Sequence, residues 1–174
     1  QGEVRPTPAN MSQVFEGAMD LLGKQLTLKN IEVQQELATD LPPVLVDVEQ
    51  MKQVFLNLLL NAVQAMPEGG TLRVRTHRRR LQAVGDGFGR RATDVSQTGE
   101  DAVVCEISDT GAGIAKDKLE KIFDPFYTTK TQGTGLGLSI VKSLTEILQG
   151  EFSLTSRTGI GTTATVRLPL HPIP

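Results

Sequence analysis

Between Gln53 and Pro67 the chain carries no charged residue. The stretch is long and apolar, and "MPEGG" closes it, so the sequence predicts a helix over 48–66. At about 100° per residue, Gln53, Asn57, Asn61 and Gln64 fall within roughly 80° of one another. Every other position from 54 to 66 is Val, Phe, Leu, Ala or Met. Such a helix is almost wholly buried, and its one polar strip carries neutral amides. Those amides either satisfy one another and the backbone or line a pocket. A carboxamide oxygen is a hard, neutral ligand of the kind Mg²⁺ accepts.

The rest of the chain supplies the partners for that helix. Residues 11–29 place Met11, Val14, Phe15, Ala18, Leu21 and Leu22 at helical spacing. "IEVQQEL" (31–37) and "TLRVRTH" (71–77) alternate as half-buried strands do. "LPPVLVD" (41–47) reads as a short strand, and "AVVCEIS" (102–108) as another. A short helix is expected over 115–123 and a longer one over 136–149, with Gly150 as its C-cap. "EFSLTSR" and "TTATVRLP" form a hairpin around "TGIG". Residues 1–10 read as a linker or frayed end. Residues 78–101, with four glycines and five arginines, read as a long mobile hairpin insertion. Together these elements predict one α/β (α+β) domain over 11–174, with a mixed sheet and its helices mostly in one layer.

Composition bounds the function. With 174 residues, 39% hydrophobic and 22% charged, the chain is an ordinary soluble domain with a real core. A net charge of −2 does not suggest a nucleic-acid or membrane binder. Cys105 is the sole cysteine, which excludes an internal disulfide and fits a reducing, cytoplasmic setting. No apolar run reaches the ~20 residues of a membrane span. The chain opens at Gln1 without a methionine, and we read it as an excised piece of a larger protein.

Three further places carry chemistry. Val103, Cys105 and Ile107 share one strand face, and the alternation places Asp109 on that same face. A carboxylate there either caps the turn "DTGAG" or accepts a hydrogen bond from a ligand amine. On the last strand Thr162 shares a face with Ala164, Val166 and Leu168, a second polar group where apolar ones are expected. In "TQGTGLGLSIVKSL" (131–144), Gly133, Gly135 and Gly137 run directly into a helix. This is either a flexible loop or an anion cradle at a helix N-terminus. It matches neither a P-loop nor a dinucleotide fingerprint, since Leu138 stands where each would need another residue. Lys130 lies just before it, a surface lysine or a counter-charge for phosphate.

The order and spacing of these stretches resemble the catalytic and ATP-binding domain of two-component sensor histidine kinases. "QVFLNLLLNAVQAM" (53–66) is similar to the family's N box, "DTGAGI" (109–114) to its first glycine box, "FDPFYTTK" (123–130) to its F box and "GTGLGLSI" (133–140) to its second glycine box. The N box is most like that of nitrogen-regulation-type kinases. The resemblance implies a Bergerat-type two-layer sandwich: a mixed, mostly antiparallel sheet with about three helices on one face. It implies ATP and Mg²⁺ as cofactors. Asn61 would ligate the metal, with Asn57 close to the phosphates. Asp109 would take the adenine amino group, backed by Thr162, and Gly111, Gly113 and Ile114 would wall the base pocket. Phe126 would belong to the nucleotide pocket, and Lys130 would reach the γ-phosphate from a mobile lid over 124–137. Gly133, Thr134, Gly135, Leu136, Gly137 and Leu138 would wrap the phosphates.

The implied partners are a histidine-bearing dimerisation domain of the same full-length protein and a response regulator. The isolated domain would be monomeric. Other readings are an ATPase of the same fold and a nucleotide-sensing module without phosphotransfer. The ATPase relatives carry a glutamate base where this chain has Asn57, and an amide cannot take a proton from water. One departure is "EILQGEF" (146–152), where the family often has His-Gly-Gly.

Overall fold

The computed structural model describes residues 3–80, 101–124 and 137–170. In chain order the elements are β1 (Thr7–Ala9), α1 (Met11–Leu28), β2 (Ile31–Leu37), β3 (Val44–Val46), α2 (Val48–Gln64), β4 (Gly70–Arg80), β5 (Asp101–Asp109), α3 (Lys116–Leu119), α4 (Gly137–Ile147), β6 (Glu151–Arg157) and β7 (Gly161–Pro169). Five strands form one sheet in the order β2-β4-β5-β7-β6. Only the β2–β4 pairing is parallel; the other three are antiparallel. This is the mixed, mostly antiparallel sheet that the alternating stretches predict.

The helices cover one face of it. Leu72 and Val74 of β4, Val103, Cys105 and Ile107 of β5, and Ala164, Val166 and Leu168 of β7 are buried there, in one core with α1, α2 and Val141 of α4. Phe15 of α1 stacks on Phe55 of α2 with ring centroids 4.4 Å apart, and both are fully buried. Burying one such side chain contributes about 1.5–3 kcal/mol. The opposite face of the sheet is wet: Arg73 pairs with Glu36 at 2.5 Å, and Arg75 lies between Glu36 and Glu106.

Each long helix begins on a side-chain cap. Asn10 accepts from the N–H groups of Ser12 and Gln13 at the start of α1. Asp47 accepts from Glu49 and Gln50 at the start of α2, and its second oxygen accepts the Arg5 N–H at 3.1 Å. A capping oxygen satisfies N–H groups that have no partner inside the helix.

Several boundaries differ from the sequence reading. Residues 1–10 are not all linker, because Thr7–Ala9 pair antiparallel with Val44–Val46. Pro8 is tolerated because a strand edge needs no N–H from it. Both ends of the stretch 78–101 belong to the sheet. Arg78, Arg79 and Arg80 continue β4 against Val103, Ala102 and Asp101, and Arg78 pairs with the Asp101 carboxylate. Residues 81–100 lie outside the described part. The helix expected over 115–123 keeps only Lys116–Leu119. At the end of α4 the left-handed residue is Gln149 (φ 57°), not Gly150. Gly150 instead donates its N–H to the Thr145 carbonyl and lies where a β-carbon would meet the Arg167 carbonyl at 2.6 Å.

Candidate nucleotide site

The strip on α2 is where the site begins. Met51, Val54, Phe55, Leu58, Leu59, Ala62 and Val63 are buried. Asn57 and Asn61 are half-buried, and Gln53 and Gln64 are exposed. Leu56 and Leu60 are also half-buried, so the helix is less enclosed than its composition predicts. The amide strip is its open side.

Two glycine-rich segments approach successive turns of that helix. At Gly111 a β-carbon would lie 2.4 Å from the Ala65 carbonyl, so only glycine brings this loop against the end of α2. At Gly137, the first residue of α4, the nearest group is the Asn61 carboxamide, whose Nδ2 would lie 3.9 Å from an added β-carbon. The N box, the first glycine box and the start of the last helix therefore converge on the C-terminal half of α2. Leu138 is half-buried on α4, and Gly137 brings the start of this helix beside Asn61. A helix N-terminus carries partial positive charge suited to phosphate.

A second set of the singled-out residues lies on one row of the sheet. Leu72, Asp109, Thr162 and Ser156 follow one another across β4, β5, β7 and β6 as direct register partners. The alternation that singled out Asp109 and Thr162 thus places them opposite each other on neighbouring strands. Asp109 Oδ1 accepts the Gly111 N–H at 2.9 Å, so the carboxylate does shape its own turn. Asp109 shares its strand face with the buried Val103, Cys105 and Ile107.

The turn itself is clamped from the other side. Gly113 has φ +75°, and a β-carbon there would meet the Arg157 carbonyl at 2.2 Å. Gly159 donates its N–H to the Ala112 carbonyl at 2.7 Å. The Ile114 N–H goes to Ser156 Oγ, also at 2.7 Å. Residues 111–114 are therefore held between the end of α2 and the β6–β7 hairpin.

A model of the histidine kinase-, DNA gyrase B- and HSP90-like ATPase family matches residues 46–172. The chain belongs to this family. Among curated relatives of this ATPase family member are sporulation kinase E of Bacillus subtilis, 35% identical over 93% of the chain and 19% of that protein. Sensor kinase CckA of Brucella abortus is 41% identical over 95% of the chain and 17% of its own length. The chain thus spans less than a fifth of these two relatives. Among solved structures, the catalytic domain of histidine kinase ThkA matches with a TM-score of 0.75 at 27% identity, covering 95% of both chains. Full-length ShkA in complex with AMPPNP matches with a TM-score of 0.74 at 26% identity, over 97% of this chain and 32% of that one. The histidine kinase catalytic fold expected from the four boxes is therefore the fold observed, and the domain is a nucleotide-binding one.

Of the residues the sequence singles out, Asn57, Asn61, Asp109, Gly111, Gly113, Ile114, Gly137, Leu138 and Thr162 fall on these converging elements. Phe126, Lys130, Gly133, Thr134, Gly135 and Leu136 lie outside the described residues, as does all of the expected lid but its end residues Asp124 and Gly137. Ser156 and Thr110 were missed. Thr110 Oγ1 accepts the Thr71 N–H at 2.9 Å and faces Met66 Sδ, which ties the first glycine box to β4 and the end of α2. Cys105 is no candidate nucleophile: it is fully enclosed, and burial pushes its thiol up to about 12. No described helix is long and apolar enough to cross a membrane.

Proposed function

We propose that this chain is the ATP-binding catalytic domain of a sensor histidine kinase, presenting the γ-phosphate of ATP to a histidine on a separate helical dimerisation domain. The observation that carries the reading is the convergence on α2: an acceptor row ending in Asp109 and Thr162, a glycine turn against Ala65, and a helix N-terminus beside Asn61. Asp109 and Thr162 accept the adenine amino group. Gly111, Gly113 and Ile114 form the wall along which the base lies. The opening N–H groups of α4, from Gly137 and Leu138, face the phosphates. We assign Gly133, Thr134, Gly135 and Leu136 to the same cradle, Phe126 to the pocket, and Lys130 to the γ-phosphate.

The donor set suits magnesium. Asn61 offers a neutral carboxamide oxygen beside a phosphate cradle, and Mg²⁺ favours oxygen ligands shared with substrate phosphates. Bound there, the ion would screen the triphosphate charge. Asn57, one turn earlier, orients the phosphate chain. It also accounts for retention of the γ-phosphate until an acceptor arrives, because a carboxamide is no general base toward water.

The described part offers no acceptor of its own. His77 lies on β4, paired with Val104 and half-buried, and burial first, with nearby arginines, lowers its pKa against the pull of Glu106. We place the domain in the cytoplasm, monomeric when isolated, with a response regulator as the final phosphate acceptor. Labelled ATP tests this. The chain alone should bind Mg-ATP and stay unlabelled, and adding the histidine-bearing domain should produce acid-labile label on that domain. Turnover of many ATP per minute by the chain alone would contradict the reading.

A further inference from the structure

Resting on that reading of the site, we propose that Ser156 is a specificity-determining positioning residue: it fixes Thr162 as a hydrogen-bond acceptor and thereby selects a base bearing an amino group. The argument is a proton count. Ser156 Oγ has one proton and two lone pairs. The Ile114 N–H, at 2.7 Å, can only donate and takes one lone pair. The Gly161 carbonyl, at 3.1 Å, can only accept and takes the proton. The third neighbour, Thr162 Oγ1 at 2.7 Å, must then give its own proton to the remaining lone pair. Thr162 is left with lone pairs alone.

Its register partner across β5–β7 is Asp109, whose carboxylate is also an acceptor. Two acceptors side by side match the amino group at position 6 of adenine. They oppose the carbonyl that hypoxanthine or guanine carries there. An unmatched acceptor at a site built to receive N–H groups rejects the wrong ligand strongly. Ser156 touches no ligand in this scheme. It acts through Thr162 and, by holding Ile114, through the wall of the pocket.

ATP and ITP are the probes: ITP carries a carbonyl where adenine carries its amino group, and a proton on the adjoining ring nitrogen where adenine has a lone pair. Affinity for each is measured by calorimetry on the 174-residue chain, with thermal stability followed in parallel. Wild type should favour ATP. Ser156→Ala frees the Thr162 proton to meet a carbonyl, so the ATP-to-ITP preference should shrink about tenfold, the size of one hydrogen bond. Ser156→Thr keeps the hydroxyl and should restore the preference. A merely structural role would weaken ATP and ITP together and leave their ratio unchanged, and that result overturns the proposal. If Ser156→Ala does not fold, Thr162→Val decides: it removes the acceptor at constant shape, must narrow the same ratio, and overturns the proposal if it does not. Wild type binding neither nucleotide would instead overturn the nucleotide reading, and this proposal with it.

Discussion

The helices α1 and α2 are of nearly equal length, 18 and 17 residues, and they meet through one stacked ring pair. Each buries seven or eight side chains and starts on an oxygen cap. Their open sides are different. Glu16, Asp20 and Lys24 are exposed on α1, an ordinary solvated face. From Gln53 onward the polar residues of α2 are all amides; the two central ones, Asn57 and Asn61, are half-buried, and a second helix starts beside Asn61. A helix that faces only water can carry any charge. One that faces a triphosphate and its metal must offer donors and acceptors without adding negative charge. Under the proposed function, the difference between the two wet faces marks the site, while their buried faces are equivalent.

Equivalence in the core gives the largest expected effect. Phe15→Ala and Phe55→Ala remove opposite halves of one stack, so each should destabilise the domain by about 3–5 kcal/mol in urea or thermal unfolding. A much smaller cost for one than the other would break the symmetry. The wet faces give the next effect. Asn61→Ala should cost about 1–3 kcal/mol of magnesium-dependent nucleotide affinity, measured by calorimetry, whereas Gln13→Ala on α1 should leave affinity unchanged.

The caps sharpen the comparison further. Asn10→Ala should cost about 1 kcal/mol of stability at every pH. Asp47 titrates, and its carboxyl lies below the usual aspartate value, first because of the Arg5 N–H and then that of Gln50. A lowered folded pKa stabilises above the unfolded value of ~3.9 and loses that contribution as pH falls through the folded value. Acid unfolding of wild type and Asp47→Asn should therefore differ at pH 6 and converge once the pH has fallen through the lowered folded value. The cap of α1 should show no such convergence.

Much of this contrast was legible in the sequence because it rests on periodicity. The charge-free run named α2, and alternation along β5 and β7 placed Asp109 and Thr162 on the helix side of the sheet, where they pair. Ser156 was not legible. A small hydroxyl near the end of a mixed strand gives no signal, and its role depends on the β6–β7 register that opposes it to Thr162. Arg78–Arg80 were misread as loop because three arginines break apolar alternation; they belong to β4 through backbone pairing and a wet outer face. The short strand β1 escaped for a similar reason. Three residues containing a proline carry no period, and only the partner strand Val44–Val46 defines them.

The claim that the amide strip of α2 faces the nucleotide can be read directly from side-chain NH₂ signals in a nitrogen–proton NMR spectrum during titration with magnesium and AMPPNP. The Asn57 and Asn61 signals should shift in step with occupancy, while those of Gln13 and Gln25 on α1 stay in place. Shifts confined to the α1 amides, or saturation of binding with Asn57 and Asn61 unmoved, would contradict it.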